Sequence, residues 1–244
     1  MWGALAVQDI KLRYRGSLLG PFWLTLSTAI MVVAMGVIYP YLFHMAARRY
    51  VPYLAIGLIV WQALSSIANE GCTTFLSEES VIQQVPVPFS IHAYRGVCRN
   101  FLVLAHSLAI VPFGMLVLRM PVDWRLITIV PAFALLAING IWLSILLGLV
   151  SARFRDVPPI VANFMQVLFF LTPVMWPIEA LSGSSRSIAE MNPFFAAIDI
   201  IRSPLLGAAP ASTSWPIMLM TTALGCGVGF VLFARFRTRI AYWI

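Results

Sequence analysis

Lys11, Arg13 and Arg15 stand at every second position in the stretch KLRYR, immediately before GSLLGPFW and a long run without charge. Guanidinium and ammonium groups crowded in this way attract phosphate, arginine through paired hydrogen bonds and lysine as a compact charge. Two uses fit that chemistry: fixing the following segment to an anionic membrane surface, or drawing in a phosphate-bearing headgroup. Other constellations are weak. His44, His92 and His106 are scattered, and there is no H-E-x-x-H pattern. His106 falls within an apolar run, where a hydrogen bond to a neighbouring helix is the expected role rather than proton relay. Cys72, Cys98 and Cys226 are odd in number and far apart, so they read as small apolar residues rather than metal ligands or disulfides. Acidic residues are missing from the interiors of the apolar runs, with Glu70 at the inner end of one, which argues against an ion-coupled carrier. A phosphate-cradling loop needs a lysine after its glycines, and Lys11, the only lysine, follows Ile10. ATP hydrolysis by this chain is therefore excluded, and no catalytic residue or metal site is assigned.

The elements that must carry these residues are set by composition. The chain has 244 residues, 61% hydrophobic and 10% charged, against about 25% charged in soluble domains. That predicts an all-α polytopic membrane protein forming one domain over 1–244. Its cations, net +7, lie between apolar segments and not on a polar domain, which argues against nucleic acid as a partner. No cleavable signal peptide is expected, because the first apolar run is too long and ends in YPYLFHMAARRY. Six segments approach the roughly 20 residues a span requires: Phe22–Phe43, Tyr53–Ala68, Asn100–Leu118, Leu126–Ser151, Val157–Ile178 and Trp215–Ala234. Prolines 40, 112, 131 and 173 lie near span ends or at kinks.

Charge sets the orientation. With both termini inside, the inner segments hold Lys11, Arg13, Arg15, Arg95, Arg99, Arg153, Arg155, Arg235, Arg237 and Arg239, close to span ends. The outer ones hold Arg48, Arg49, Arg119, Arg125, Arg186 and Arg202. Residues 1–21 then form an interface helix and a connecting loop. Val7, Ile10, Tyr14 and Leu18 recur on one face, Asp9 is placed to pair with Arg13, and Gly16 and Gly20–Pro21 supply breaks.

Two connections are more than links. On the inner side, Ser77 is placed to cap a short helix with Glu78 and Glu79 in its first turn, and Pro86 and Pro88 stop and stiffen its exit. Ile82, Gln83, Gln84 and Val85 lie between, on what reads as a rigid handle for another protein. On the outer side, residues 179–214 contain NPFFAAIDIIRSPLLG. There Asn192 caps, Pro193 takes the first helical position, and Ser203-Pro204 and Gly207 end the helix. Phe194, Phe195, Ile198, Ile201 and Leu205 make an apolar face with Asp199 and Arg202 as exceptions. A lid over an exit and plain packing on the spans both fit. Residues 215–244 are the last span and a basic tail.

Four stretches in order, DIKLRYRGSLLGPFWLTLS, SVIQQVPVPFSIHAY, ARFRDVPPIV and FFLTPVMWP with NPFFAAIDIIRSPLLG, resemble the ABC-2 type permeases that export O-antigen, capsule and teichoic acid polysaccharides. The resemblance covers essentially the whole chain. It implies a homodimer of six-span subunits in the bacterial inner membrane, both termini cytoplasmic, bound to two copies of a separate ATPase that carries ATP and magnesium. It implies substrate headgroup admission near Lys11, Arg13, Arg15, Leu19 and Gly20, and ATPase coupling through Ile82–Pro88. It implies outer gating by the helix of Asn192, Pro193, Phe194, Phe195 and Arg202. Gln83 and Gln84 stand where the family often has basic residues, so the coupling contact is expected to lack a salt bridge there. Trp23, Tyr39, Tyr41, Phe169, Phe170 and Trp176 read as interfacial belts, or as flat surfaces for sugar rings. The competing readings are an ABC-2 exporter of a drug or small lipid, and a membrane enzyme of lipid-linked glycan metabolism.

Overall fold

The computed structural model describes residues 2–13, 15, 22–85, 87–109, 111 and 123–244, and these are all-helical, without strands. Leu19, Gly20 and Pro86 lie outside the described residues, as do Tyr14, Gly16, Leu18, Pro21, Pro112 and Arg119. In chain order the α-helices are α1 (Trp2–Arg13), α2 (Phe22–Leu42), α3 (Ala47–Thr73), α4 (Glu79–Gln84), α5 (Ser90–Leu108), α6 (Ile129–Arg153), α7 (Val157–Leu171), α8 (Gly183–Glu190), α9 (Pro193–Leu205), α10 (Ser214–Phe236) and α11 (Ile240–Trp243).

Four stretches are long and apolar enough to cross a membrane, namely Thr25–Leu42, Ala47–Thr73, Trp124–Arg153 and Ser214–Trp243, and α7 is a shorter apolar helix. Several prolines sit at helix ends, while Pro52 and Pro204 lie inside α3 and α9. Pro131 and Pro158 fall in first turns, where the lost N–H has no intrahelical acceptor, and Pro173 lies just beyond α7. Pro40 is two residues from the end of α2.

α3 is the central post. It packs against α2, α5, α6, α7 and α9. Of its span-forming window 56% is buried, against 11% for α2. Small residues allow the close approaches: the space a Cβ on Gly71 would need is 3.0 Å from the Ser144 backbone of α6. In hydrocarbon, where apolar contact alone gives little drive to associate, such packing and interhelical hydrogen bonds hold helices together. α6 and α10 follow the same logic. Trp142 lies over Gly225, and Asn139 Nδ2 donates to Thr222 Oγ1 at 2.6 Å. The outward faces of α2 and α10, among them Val33, Val37, Leu224 and Phe230, are exposed and apolar, as lipid contact requires.

The two ends of the bundle differ. At one, here the terminal end, α1 leans on α5 while α11 and α4 share an apolar cluster with Phe75 and Leu149. At the far end, α8 and α9 fill the connection between α7 and α10. α9 is buried nearly all round, from Phe195 through Arg202.

Candidate functional site

Arg95 and Arg99 are one helical turn apart on α5 and so reach the same partners. Arg95 donates through Nε and Nη2 to both oxygens of Asp9 on α1, at 2.7 and 2.5 Å. Arg99 Nη1 donates to Asp9 at 3.0 Å, and its Nη2 to Glu70 in the last turns of α3 at 2.8 Å. Asn100 Nδ2 adds a bond to Glu70 at 2.7 Å, Arg13 Nη2 another at 3.0 Å, and Arg95 Nη1 reaches Glu78, before α4, at 3.0 Å. Three carboxylates thus face three guanidinium groups, and the network ties α1, α3 and α5 to the lead-in of α4. Partial burial pushes the Asp9 pKa up, but the hydrogen bonds and charge of Arg95, then of Arg99, outweigh it and hold the carboxyl below its usual range. His92 lies 3.8 Å from Glu78, and both its ring nitrogens lack hydrogen-bond partners.

This geometry redistributes the cations. Asp9 pairs with Arg95 and Arg99, not with Arg13 as helical spacing alone predicts, because two guanidinium groups converge on it from α5. Arg13 is engaged with Glu70. Lys11 and Arg15 are exposed. The face of α1 turned to α5 carries Ala6 and Asp9, while Val7, expected on the apolar face, is 42% exposed.

α4 is the short helix expected. Ser77 does not cap it: its Oγ donates to Thr73 O at 2.9 Å and Glu78 takes the N-cap position. Val85 turns to the extended conformation, φ −125° and ψ 124°, as the residue before a proline should. Ile82 faces its own protein, packed in the cluster of Phe75, Leu149 and Ile240. Val81 and Val85, one turn apart, point outward with Gln83 and Gln84, and Pro88 is exposed. Sequence reading missed Val81, although its i,i+4 spacing to Val85 was visible.

Between α2, α3 and α7 runs a groove of about 570 Å³. Its α3 wall is a stripe of Gln62, Ser65, Ser66 and Asn69, all on one face. Ser27 and Thr28 line it from α2 and Gln166 from α7. Thr28 Oγ1 donates to Gln62 at 3.1 Å. Trp61, itself buried, and Phe169 also line it, with ring centroids 5.6 Å apart and ring planes tilted by 49°. Phe169 was among the aromatics singled out in sequence. Trp61 and the polar stripe were not, although four polar residues at helical spacing within an apolar helix are a readable signal. Phe170 is exposed, and Trp176 Nε1 is bonded to its carbonyl at 3.1 Å.

At the far end Asn192 caps α9 as expected, its Oδ1 accepting from Phe194 N–H at 2.9 Å, while its Nδ2 donates to Thr172 Oγ1 beyond α7. Pro193 takes the first helical position, and Gly207, with φ 73°, lies just past the end. Phe195 is buried, and Phe194 stands 5.9 Å from Trp61 at the groove edge. Arg202 is buried with its guanidinium 3.8 Å from the Tyr53 ring centroid. His106 departs from expectation: its Nε2 has no hydrogen-bond partner, and the ring meets Phe22 edge-on at 4.8 Å. The three cysteines are free, and no cluster of potential metal ligands occurs among the described residues.

An all-helical body with four helices long and apolar enough to cross a membrane, and a groove among its helices that carries a polar stripe, defines a polytopic membrane protein. The sequence profile of the ABC-2 type transporter family matches residues 2–206, and the chain belongs to that family. It is similar to the O-antigen export system permease protein RfbA of Myxococcus xanthus, 27% identical over 201 residues, covering 78% of this chain and 74% of the relative. RfbA of Klebsiella pneumoniae is 21% identical over 235 residues, 96% of this chain and 91% of the relative. The polysialic acid transport protein KpsM of Escherichia coli is 22% identical over 244 residues, 97% and 92%.

Proposed function

We propose that this chain is the permease subunit of an ABC exporter that carries a lipid-linked polysaccharide across the bacterial inner membrane. The observation that carries the reading is the groove. Hydroxyls and amides of Gln62, Ser65, Asn69 and Gln166 supply donors and acceptors along the groove, and the Phe169 ring lies on its wall beside the buried Trp61. Sugars present hydroxyl edges and apolar faces together, so this mixture suits them. A drug or small apolar lipid would gain little from this wall of hydroxyls and amides, which it could only desolvate. The names of the relatives, O-antigen and polysialic acid transport, point the same way.

The finer parts of the proposal follow. α2, α3, α5, α6, α7 and α10 serve as six spans, with α5 and α7 completing the four long ones. Both termini are cytoplasmic, as the cations flanking the terminal end favour. Two copies pair, each with one ATPase subunit that binds ATP and magnesium. α4 docks on that ATPase through Val81 and Val85, with Pro86 and Pro88 stiffening the exit, and Ile82 seats the helix on its own protein. Lys11 and Arg15, with Leu19 and Gly20, receive the substrate headgroup; Arg13, drawn to Glu70, is held back from it. α9 closes the outer end of the groove through Phe194, with Asn192 and Pro193 fixing its start.

The test replaces Gln62 and Asn69 together with leucine and measures surface polysaccharide in cells whose only permease is the variant. Export is expected to fall at least tenfold while the protein remains in the membrane at normal level. Export at the parental rate would refute a glycan path through this groove.

A further inference from the structure

A second cavity, of about 700 Å³, lies at the far end between the turn joining α2 to α3 and one face of α9. Arg202 forms part of its wall and is only 2% exposed. Burying a charge is costly unless it is paired and hydrogen-bonded. Yet Arg202 makes one hydrogen bond, Nη1 to Pro173 O at 2.9 Å, and rests on the Tyr53 ring. No carboxylate among the described residues is within ion-pair distance of it. Asp199, one turn earlier, is committed elsewhere: Oδ1 accepts from Ser203 Oγ at 2.6 Å, and Oδ2 from Ala211 N and Ser214 Oγ at 2.8 and 2.7 Å. The Arg202 side chain nevertheless lines the cavity. Arg48 and Arg49, both exposed, line the same cavity, as does Glu179. The buried Arg202 and the exposed Arg49 therefore line a cavity in which Asp199 is already saturated.

We propose that this cavity binds the phosphate of an anionic phospholipid headgroup. Guanidinium groups match phosphate oxygens in geometry and charge. A bound phosphate supplies the anion that the buried Arg202 lacks. A lipid is favoured over a soluble anion by two features. Phe43, Met45 and Leu206 give the cavity an apolar wall beside its cations. The neighbouring end of α2 carries Tyr41, 84% exposed, and Tyr39, aromatics of the kind that sit at headgroup level. The site holds α9 against α3 from outside the groove, so it is separate from the glycan path.

The test is native mass spectrometry of the full chain in detergent, titrated with dioleoylphosphatidylglycerol or dioleoylphosphatidylcholine, with inorganic phosphate as competitor. Phosphatidylglycerol is expected to bind at least fivefold more tightly than phosphatidylcholine. Arg49→Ala should weaken that preference about fivefold, and Arg202→Gln should abolish it. Arg186→Ala, at an exposed far-end arginine paired with Glu190, should leave it unchanged. Should Arg202→Gln fail to fold, Arg49→Ala and Arg49→Glu decide, since that side chain is exposed. Equal binding of the two lipids, or wild-type preference in the Arg49 variants, overturns the proposal. Displacement of the lipid by millimolar phosphate would identify a soluble-anion site and overturn the lipid assignment.

Discussion

Replacing Asp9 with asparagine should undock α1 from the bundle without unfolding it. The substitution keeps the size of the side chain and removes the charge on which Arg95 and Arg99 converge. Exposed ion pairs are worth about 0.2–1 kcal/mol, whereas breaking a buried pair costs about 3–5 kcal/mol. The side chains here are 13% exposed for Asp9, 23% for Arg95 and 21% for Arg99, nearer the buried limit. Both arginines keep a second carboxylate, Glu78 and Glu70 respectively, which lowers the loss. A cost of about 2–3 kcal/mol follows, or a roughly 30- to 150-fold shift toward the undocked helix. Hydrogen exchange reads this directly: amides of residues 3–13 should lose protection by that factor while those of α3 and α6 keep theirs. Arg15→Ala, at an exposed side chain, should leave α1 protected. A double-mutant cycle of Asp9→Asn with Arg95→Gln should show strong coupling, because each change removes the same bonds. Undiminished α1 protection in Asp9→Asn would refute the argument that the carboxylate holds the helix.

Acid should act on the same end only late. Asp9 is held below its ordinary 3.8, so its contribution persists to about pH 4 and is lost as pH falls through the lower folded value. Exchange of α1 followed from pH 7 to pH 3 should therefore keep its protection until about pH 4, and an earlier loss would refute this. On α4, Val81→Asp or Val85→Asp should abolish coupled export and ATPase association with normal membrane insertion, whereas Ile82→Ala should lower thermal stability by about 1–2 kcal/mol; normal export in both aspartate variants would refute the docking face. Gly225→Val should destabilise the fold sharply, because its Cβ would stand 2.1 Å from Trp142, and Trp142→Ala should partly rescue it in a thermal unfolding assay. Asn192→Ala should cost about 1–2 kcal/mol by removing the cap of α9, read as a lower Tm.

Local grammar in the sequence carried the helices at the surface and the starts of helices. The Asn192-Pro193 start and the turn to extended backbone before Pro86 depend on neighbours in the chain, and both were legible. α3 was read as the short span Tyr53–Ala68 because Arg48, Arg49 and Glu70 interrupt its hydropathy. The structure extends it to 27 residues, since Glu70 is neutralised by Arg99, Asn100 and Arg13 and so can remain helical at the membrane edge. α7 shows the opposite error. Its apolar run continues to Ile178, but the helix stops at Leu171 because Thr172, the residue before Pro173, turns to the extended conformation, and Tyr50 and Tyr53 then hold the carbonyls of Met175 and Trp176 in the chain beyond. The pairing of Asp9 was misread for a related reason. Helical spacing ranks partners within one helix, and the winning partners came from another, two on one carboxylate.

The same distinction explains why the cations before the first span are held differently. A basic cluster in sequence treats Lys11, Arg13 and Arg15 as equivalent. In the fold, three carboxylates of the terminal end are matched by Arg13, Arg95 and Arg99, a balanced set that leaves no free charge for a ligand. Arg13 is therefore part of the joint that connects α1 to α3, and its loss should resemble that of Asp9 more than that of Arg15. Lys11 and Arg15 stand outside that balance and remain open to anions. Arg13→Ala should reduce both α1 protection and export, and Arg15→Ala should reduce export at limiting substrate alone. If Arg13→Ala left α1 protection intact and matched Arg15→Ala in export, the two arginines would share one role and the division drawn from Glu70 would be wrong.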